Sequence, residues 1–127
     1  MSTHALIGRL NGDKSIDYIY CHNDGSPDYI MPPLIQIVND GKVDYLMALC
    51  SISALYDKLD PPEGVKHTFD EPCNGVTIAY HRDRGDDFNT YMAKDEEAFT
   101  FLLKGSGIYG YLVDTSKEGE DAIKIIK

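Results

Sequence analysis

Apolar and polar positions alternate along 15–21, with Ile16, Tyr18 and Tyr20 on one face and Asp17, Ile19 and Cys21 on the other. A period of two is that of a β-strand. The short apolar run His4–Leu10 precedes it, and Asn11-Gly12-Asp13-Lys14 between the two is a hairpin signal. Strands are therefore expected at 4–10 and 15–21, with Gly8 marking a close backbone approach. Pro32-Pro33 ahead of Leu34–Asn39, with a stop at Asn39-Asp40-Gly41, predicts a short helix over 31–39. Val43, Leu46, Met47 and Cys50 repeat at helical spacing, and so do Ile52, Leu55, Tyr56 and Leu59. That pattern predicts helix over 42–50 and a further turn or two within 51–59. After an irregular connection over 65–75, Val76–His81 alternates again and is expected to be the central strand, with 89–92 extending a neighbour. Asp95–Lys104 predicts the clearest helix, acidic at its start, burying Phe99, Leu102 and Leu103, and stopped by Gly105. The segments 108–113 and 122–126 predict a closing hairpin. The order predicts a single α+β domain over 1–127, a mainly antiparallel sheet with about three short helices packed on one face.

Charge narrows the functional classes. The 127 residues carry 12 Lys+Arg against 21 Asp+Glu, a formal net charge of −9. Neutralising a phosphate backbone needs a basic stripe, so direct nucleic-acid binding is not expected. The acidity suits instead an encounter with a basic protein surface, or simply keeps a small domain apart from its neighbours. Cys21, Cys50 and Cys73 are odd in number and irregular in spacing, which argues against a disulfide framework and for a reducing, cytoplasmic compartment. Met-Ser-Thr-His-Ala lacks the basic and apolar regions of a signal peptide, and no apolar run has the length of a membrane span.

Two polar clusters follow strands, where binding groups are commonly carried. The first, 22–29, holds His22, Asp24 and Tyr29, with Tyr20 just before it. His22 and Asp24 have the chemistry of an acid–base pair, although Asn23-Asp24-Gly25 and Ser26-Pro27-Asp28 are also ordinary turn formers. The second, His81-Arg82-Asp83-Arg84-Gly85-Asp86-Asp87, gathers two of the chain's arginines. Arg82 and Arg84 are guanidinium forks for a phosphate or carboxylate, or partners of the neighbouring aspartates. The His-Arg-Asp triplet is kinase-like by chance, since the other kinase motifs are missing. Gly105-Ser106-Gly107 follows a helix rather than opening one, the wrong order for cradling phosphate. Cys21, His22, Cys73 and His81 match no zinc spacing, so no metal and no cofactor are expected. If strands 15–21 and 76–81 run in the same direction, both clusters fall at one edge of the sheet. His22, Asp24, His81, Arg82 and Arg84 then converge on one surface.

The stretches Ala5-Leu6-Ile7-Gly8, Ile19–Pro27, Ser51–Leu55, Val76–Gly85 and Tyr109-Gly110-Tyr111-Leu112 together resemble a family of small phage and prophage proteins. Asn23 and Ser26 depart from that family's pattern, which favours an aromatic and a tyrosine there. The resemblance implies a phage accessory protein acting in a bacterial cytoplasm against host defence, with no established activity. Three readings follow. The first is a binding protein that sequesters a small anionic, nucleotide-type immune signal, in which tyrosines stack bases and arginines take phosphates. The second is an acidic inhibitor of a host defence protein of the CRISPR type, imitating nucleic acid. The third is a small hydrolase using His22, Asp24 and His81. Homo-oligomerisation is compatible with each.

Overall fold

The first two strands form where the alternation places them. In the computed structural model, which describes residues 3–87, 91–104 and 108–126, β1 (Ala5–Leu10) and β2 (Ile16–Cys21) pair antiparallel. The turn between them closes through Asn11 N–H to Ser15 O at 2.8 Å and Lys14 N–H to Asn11 O at 3.0 Å. Helix α1 (Pro27–Asn39) starts a turn earlier than 31, because Pro27 sits in its first turn and Asp28 complements the helix N-terminus. Helix α2 (Val43–Ala48) follows. The chain continues through β3 (Ile52–Ala54), β4 (Ile78–Ala79), α3 (Tyr80–Arg84), β5 (Tyr91–Ala93), α4 (Glu96–Leu103) and β6 (Tyr109–Val113), then a 3-10 turn (Gly119–Ala122) and β7 (Ile123–Ile126).

The α+β class holds. The sheet runs β4-β3-β2-β1-β6-β7, and β5 lies beside the first half of β2, next to β3 along the same edge. It is mixed: β1–β2, β2–β5, β3–β4 and β6–β7 are antiparallel, whereas β1–β6 and β2–β3 are parallel. Both faces are covered, which corrects the expectation of helices on one face. Ala5, Ile7, Ile19, Cys21, Tyr111 and Val113 pack under α1 and α2. Leu6, Ile16 and Leu112 point the other way and pack under Phe99 and Leu103 of α4. A Cβ on Gly8 would lie 2.6 Å from Ile16 and 3.2 Å from the Phe99 ring, so this glycine makes the room that α4 needs.

Three further expectations change. Segment 51–59 is not helical: Ile52–Ala54 is a strand whose Ile52 and Ala54 are buried, so its apolar spacing reports a short strand running into a loop. Val76–His81 is not the central strand, since β4 is a two-residue edge and Tyr80 already begins α3. The Asp83 carboxylate accepts the Ala79 N–H at 2.8 Å, which stops the ladder there. Leu102 is exposed on α4, and Phe99 and Leu103 are the buried pair. Positions 89, 90 and 105–107, expected as strand and helix stop, lie outside the described residues. No helix among the described residues is long and apolar enough to cross a membrane.

Candidate functional site

The turn after β2 is fastened on three sides. His22 N–H bonds Ile52 O at 3.1 Å and Asn23 N–H bonds Ser53 O at 2.9 Å, which ties it to β3. Gly25 N–H bonds Thr3 O at 2.9 Å, and the buried Tyr111 hydroxyl donates to Gly25 O at 2.6 Å. Extended backbone would put residues 22 and 24 on one side. Asp24 instead has a left-handed φ of 55°, a conformation aspartate tolerates, and it turns the chain so that His22 and Asp24 line different clefts. The acid–base pair expected from their proximity does not assemble. Gly25 has no space for a side chain, since a Cβ there would sit 2.8 Å from the backbone of Thr3 and His4. Gly25→Ala should therefore cost about 1–3 kcal/mol and loosen both clefts together. Urea titration and amide exchange across 22–26 check this, and unchanged protection in the turn would show that the fastening is not tight.

His22 sits in an aromatic cluster. Its ring lies edge-on to Tyr20 at 4.4 Å and to Tyr80 at 5.1 Å between centroids, and His4 stacks on Tyr20 at 5.5 Å. His4 Nδ1 and His22 O are 2.7 Å apart. Burial, then the nearby His4 and Arg84, push the His22 pKa below the ordinary imidazole value. The ring is thus neutral near neutral pH. Burial also raises the Tyr20 phenol, helped by Tyr80 and Cys21.

The second cluster reaches this place by a route different from the one expected. β2 and β3 are parallel and β3 and β4 antiparallel, so β4 runs opposite to β2. Convergence survives because β3 overlaps only the end of β2, at Cys21↔Ile52, and β4 stops at the same level, Ile52↔Ala79. Helix α3 then sets the phase. At about 100° per residue, positions 81 and 84, and 80 and 84, share a side, while 82 and 84 face apart. Arg84 accordingly lies 4.7 Å over the Tyr80 ring and 4.6 Å over Phe69, and it pairs with Asp86 through Nε at 2.8 Å and Nη2 at 2.6 Å. His81 Nδ1 is 2.6 Å from Asp86 O. Gly85, at φ 81°, ends the helix, with Gly85 N–H to His81 O and Asp86 N–H to Tyr80 O. His22, Tyr80, His81 and Arg84, with Asp86, Asp87 and Tyr91, line one open cleft of about 410 Å³.

Arg82 faces away from that cleft, a correction. Its guanidinium bonds Asp83 through Nε at 2.8 Å, Leu59 O at 2.5 Å and Thr77 O at 2.8 Å, all within the fold. Asp83 and His67 are 3% and 2% exposed and bond at 3.0 Å. The Cys73 N–H donates to His67 Nδ1 at 2.9 Å, so Nε2 carries the ring proton and donates to Asp83. Both ring nitrogens are engaged, and His67 is a brace. Asp24 and Tyr29 are likewise absent from the His22 cleft and line another.

Comparison with protein-family models, curated proteins and solved structures finds no match to this chain. The site therefore rests on its own geometry. His22, Tyr80, His81 and Arg84 come together, with Tyr20 behind His22. His4 and Phe69 join the cluster without a sequence signal, His4 as the residue before a strand and Phe69 as a lone aromatic in a polar connection. The cysteines are free thiols, and burial pushes the Cys21 thiol up to about 12. Among the described residues, no group of three or more His, Cys, Asp or Glu is placed to hold a metal ion.

Proposed function

We propose that the protein binds and sequesters a small anionic, nucleotide-type ligand in the His22–Arg84 cleft, without turning it over. In the phage setting that the sequence resemblance implies, the ligand is a host immune signal and its capture is the counter-defence. The observation that carries this reading is the placement of Arg84. In a chain of net charge −9, a guanidinium held on two aromatic faces opens onto a cleft walled by tyrosines and imidazoles. Stacking on Phe69 and Tyr80 fixes the plane of the fork, which lowers the ordering cost of meeting a phosphate. Asp86 takes Nε and one Nη2 hydrogen, so Nη1 and the second Nη2 hydrogen are the donors outside that pair. With His22 neutral, Arg84 supplies the positive charge for an anion, while Tyr80 and Tyr91 offer ring surface to a base. Asp86 and Asp87 are acceptors suited to ribose hydroxyls. The cleft volume falls within the range of small-molecule sites, roughly 300–1,000 Å³.

Retention of linear and cyclic ribonucleotides by the purified protein tests the reading. Arg84→Ala should weaken retention by about 10- to 100-fold, the worth of a charge-assisted hydrogen bond, with the melting temperature unchanged because Arg84 is exposed. No retention by the parent protein, or equal retention by the variant, would overturn it. Loss of counter-defence on reversing Asp86 and Asp87, in a protein that retains no nucleotide, would favour the acidic-inhibitor reading instead.

A further inference from the structure

The other side of the fastened turn carries a second cleft, of about 370 Å³, between that turn, the first turns of α1 and the chain after β3. Its walls include Tyr29 and Tyr56, 61% and 40% exposed, together with Pro32 and three carboxylates, Asp24, Asp28 and Asp57. No lysine or arginine lines it. We infer that this cleft is a docking site for an arginine-bearing basic segment of a protein partner.

Two features point to a guanidinium. Tyrosine rings this exposed are poor core residues but good faces for a planar cation, and Pro32 adds flat apolar surface for its aliphatic stem. The carboxylates are also unspent: among the described residues none of the three makes a side-chain hydrogen bond or ion pair, whereas Asp17, Asp44, Asp60, Asp83 and Asp86 all do. Asp28 also complements the N-terminus of α1, but no helix accounts for Asp24 or Asp57. A site walled by rings and rimmed by acceptors of one sign complements a fork of donors of the other. The turn geometry holds it ready, because the same bonds that aim His22 into one cleft turn Asp24 into this one. The proposal shares no side chain with the nucleotide reading and stands if that reading fails.

The test is a nuclear magnetic resonance titration of the intact protein with the peptide acetyl-Gly-Arg-Gly-Arg-Gly-amide and with its citrulline counterpart, which keeps the shape and loses the charge. The arginine peptide should give saturable shifts centred on Asp24, Tyr29, Tyr56 and Asp57, weakening as salt rises. The combined variant Asp28→Asn and Asp57→Asn should bind it about tenfold more weakly. Arg84→Ala should leave it unchanged. Equal response to citrulline, shifts elsewhere, unaltered affinity in the carboxylate variant or no saturable binding would each overturn the proposal. Tighter binding of spermidine than of the peptide would assign the cleft to a free amine and overturn it too.

Discussion

Asp83→Ala should destabilise the protein by about 3–5 kcal/mol, the cost of removing one partner from a buried charged pair. The carboxylate is 3% exposed and holds three elements at once. It receives Arg82 Nε at 2.8 Å, the His67 ring at 3.0 Å and the Ala79 N–H at 2.8 Å. Without it Ala79 loses its acceptor where β4 becomes α3, and Arg82 keeps only Thr77 O, Leu59 O and the longer, exposed contact to Asp60 at 3.3 Å. Arg82 is how the 58–60 loop is held to this node, and Tyr45 reaches the same loop through its hydroxyl on Asp60. A loss of this size is a large share of a small domain's stability, about 5–15 kcal/mol. Urea unfolding of Asp83→Ala, beside Asp86→Ala at the exposed pair, measures it. Equal, small effects would show that the node does not hold the fold.

The same carboxylate fixes an acid limit. Burial alone would raise its pKa, but the Arg82 and Ala79 hydrogen bonds and the nearby charges outweigh this and hold it below the ordinary carboxylate value. A depressed folded-state value contributes stability that is fully present above the unfolded value, about 3.9, and is lost as pH falls through the folded one. His22 is shifted downward as well, so the unfolded chain takes up its proton first. That contribution declines as pH drops below the free imidazole value, about 6.5. Asp83→Ala should shrink the lower of these two steps, which Asp13, Asp86 and Asp114 also feed through their own depressed values, and leave the upper.

The sequence announces the parts whose period is unbroken. Strands β1 and β2, the Asn11–Lys14 turn, helix α4 and the closing hairpin lie where alternation, turn residues and an acidic helix start place them. What period alone misses is phase. Val76–His81 alternates like a strand, yet the pattern is made by Thr77, buried in hydrogen bonds with Tyr56, and by Tyr80, already helical. That one change sends Arg82 inward and leaves Arg84 with His81 on the cleft. Gly85 after His-Arg-Asp-Arg is a helix-stop signal that would have corrected the phase. Asn23-Asp24-Gly25 announces a turn but not that it parts Asp24 from His22, because tertiary bonds to Thr3, Ile52, Ser53 and Tyr111 set its course. His67 gives no signal either, since it sits in an irregular connection and its partners, Cys73 in the same connection and Asp83 in α3, meet it only through the fold.

Phe99→Ala should cost about 3–5 kcal/mol, while Phe101→Ala on the same helix should fall within about 0.5 kcal/mol of the parent. Phe99 is wholly buried and Phe101 is 74% exposed, although both are phenylalanines two positions apart. Helix α4 supplies the side chains that close the core on the second face of the sheet. Phe99 fills the space between Leu6, Ile16 and Leu112, against backbone that Gly8 and Gly110 leave bare. Truncation leaves a cavity that those strands cannot close, because their other face is packed under α1 and α2. The effect should also reach the ligand cleft. Phe99 meets the Tyr18 ring edge-on at 5.8 Å, and Tyr18 stacks on Tyr91, a wall of that cleft, at 5.5 Å. Amide exchange of Tyr91–Ala93 in Phe99→Ala should therefore accelerate more than that of α1. Urea midpoints of the two variants and exchange rates at β5 and α1 measure both parts. Equal midpoints would show that α4 does not cover a core, and unchanged exchange at β5 would uncouple that core from the cleft.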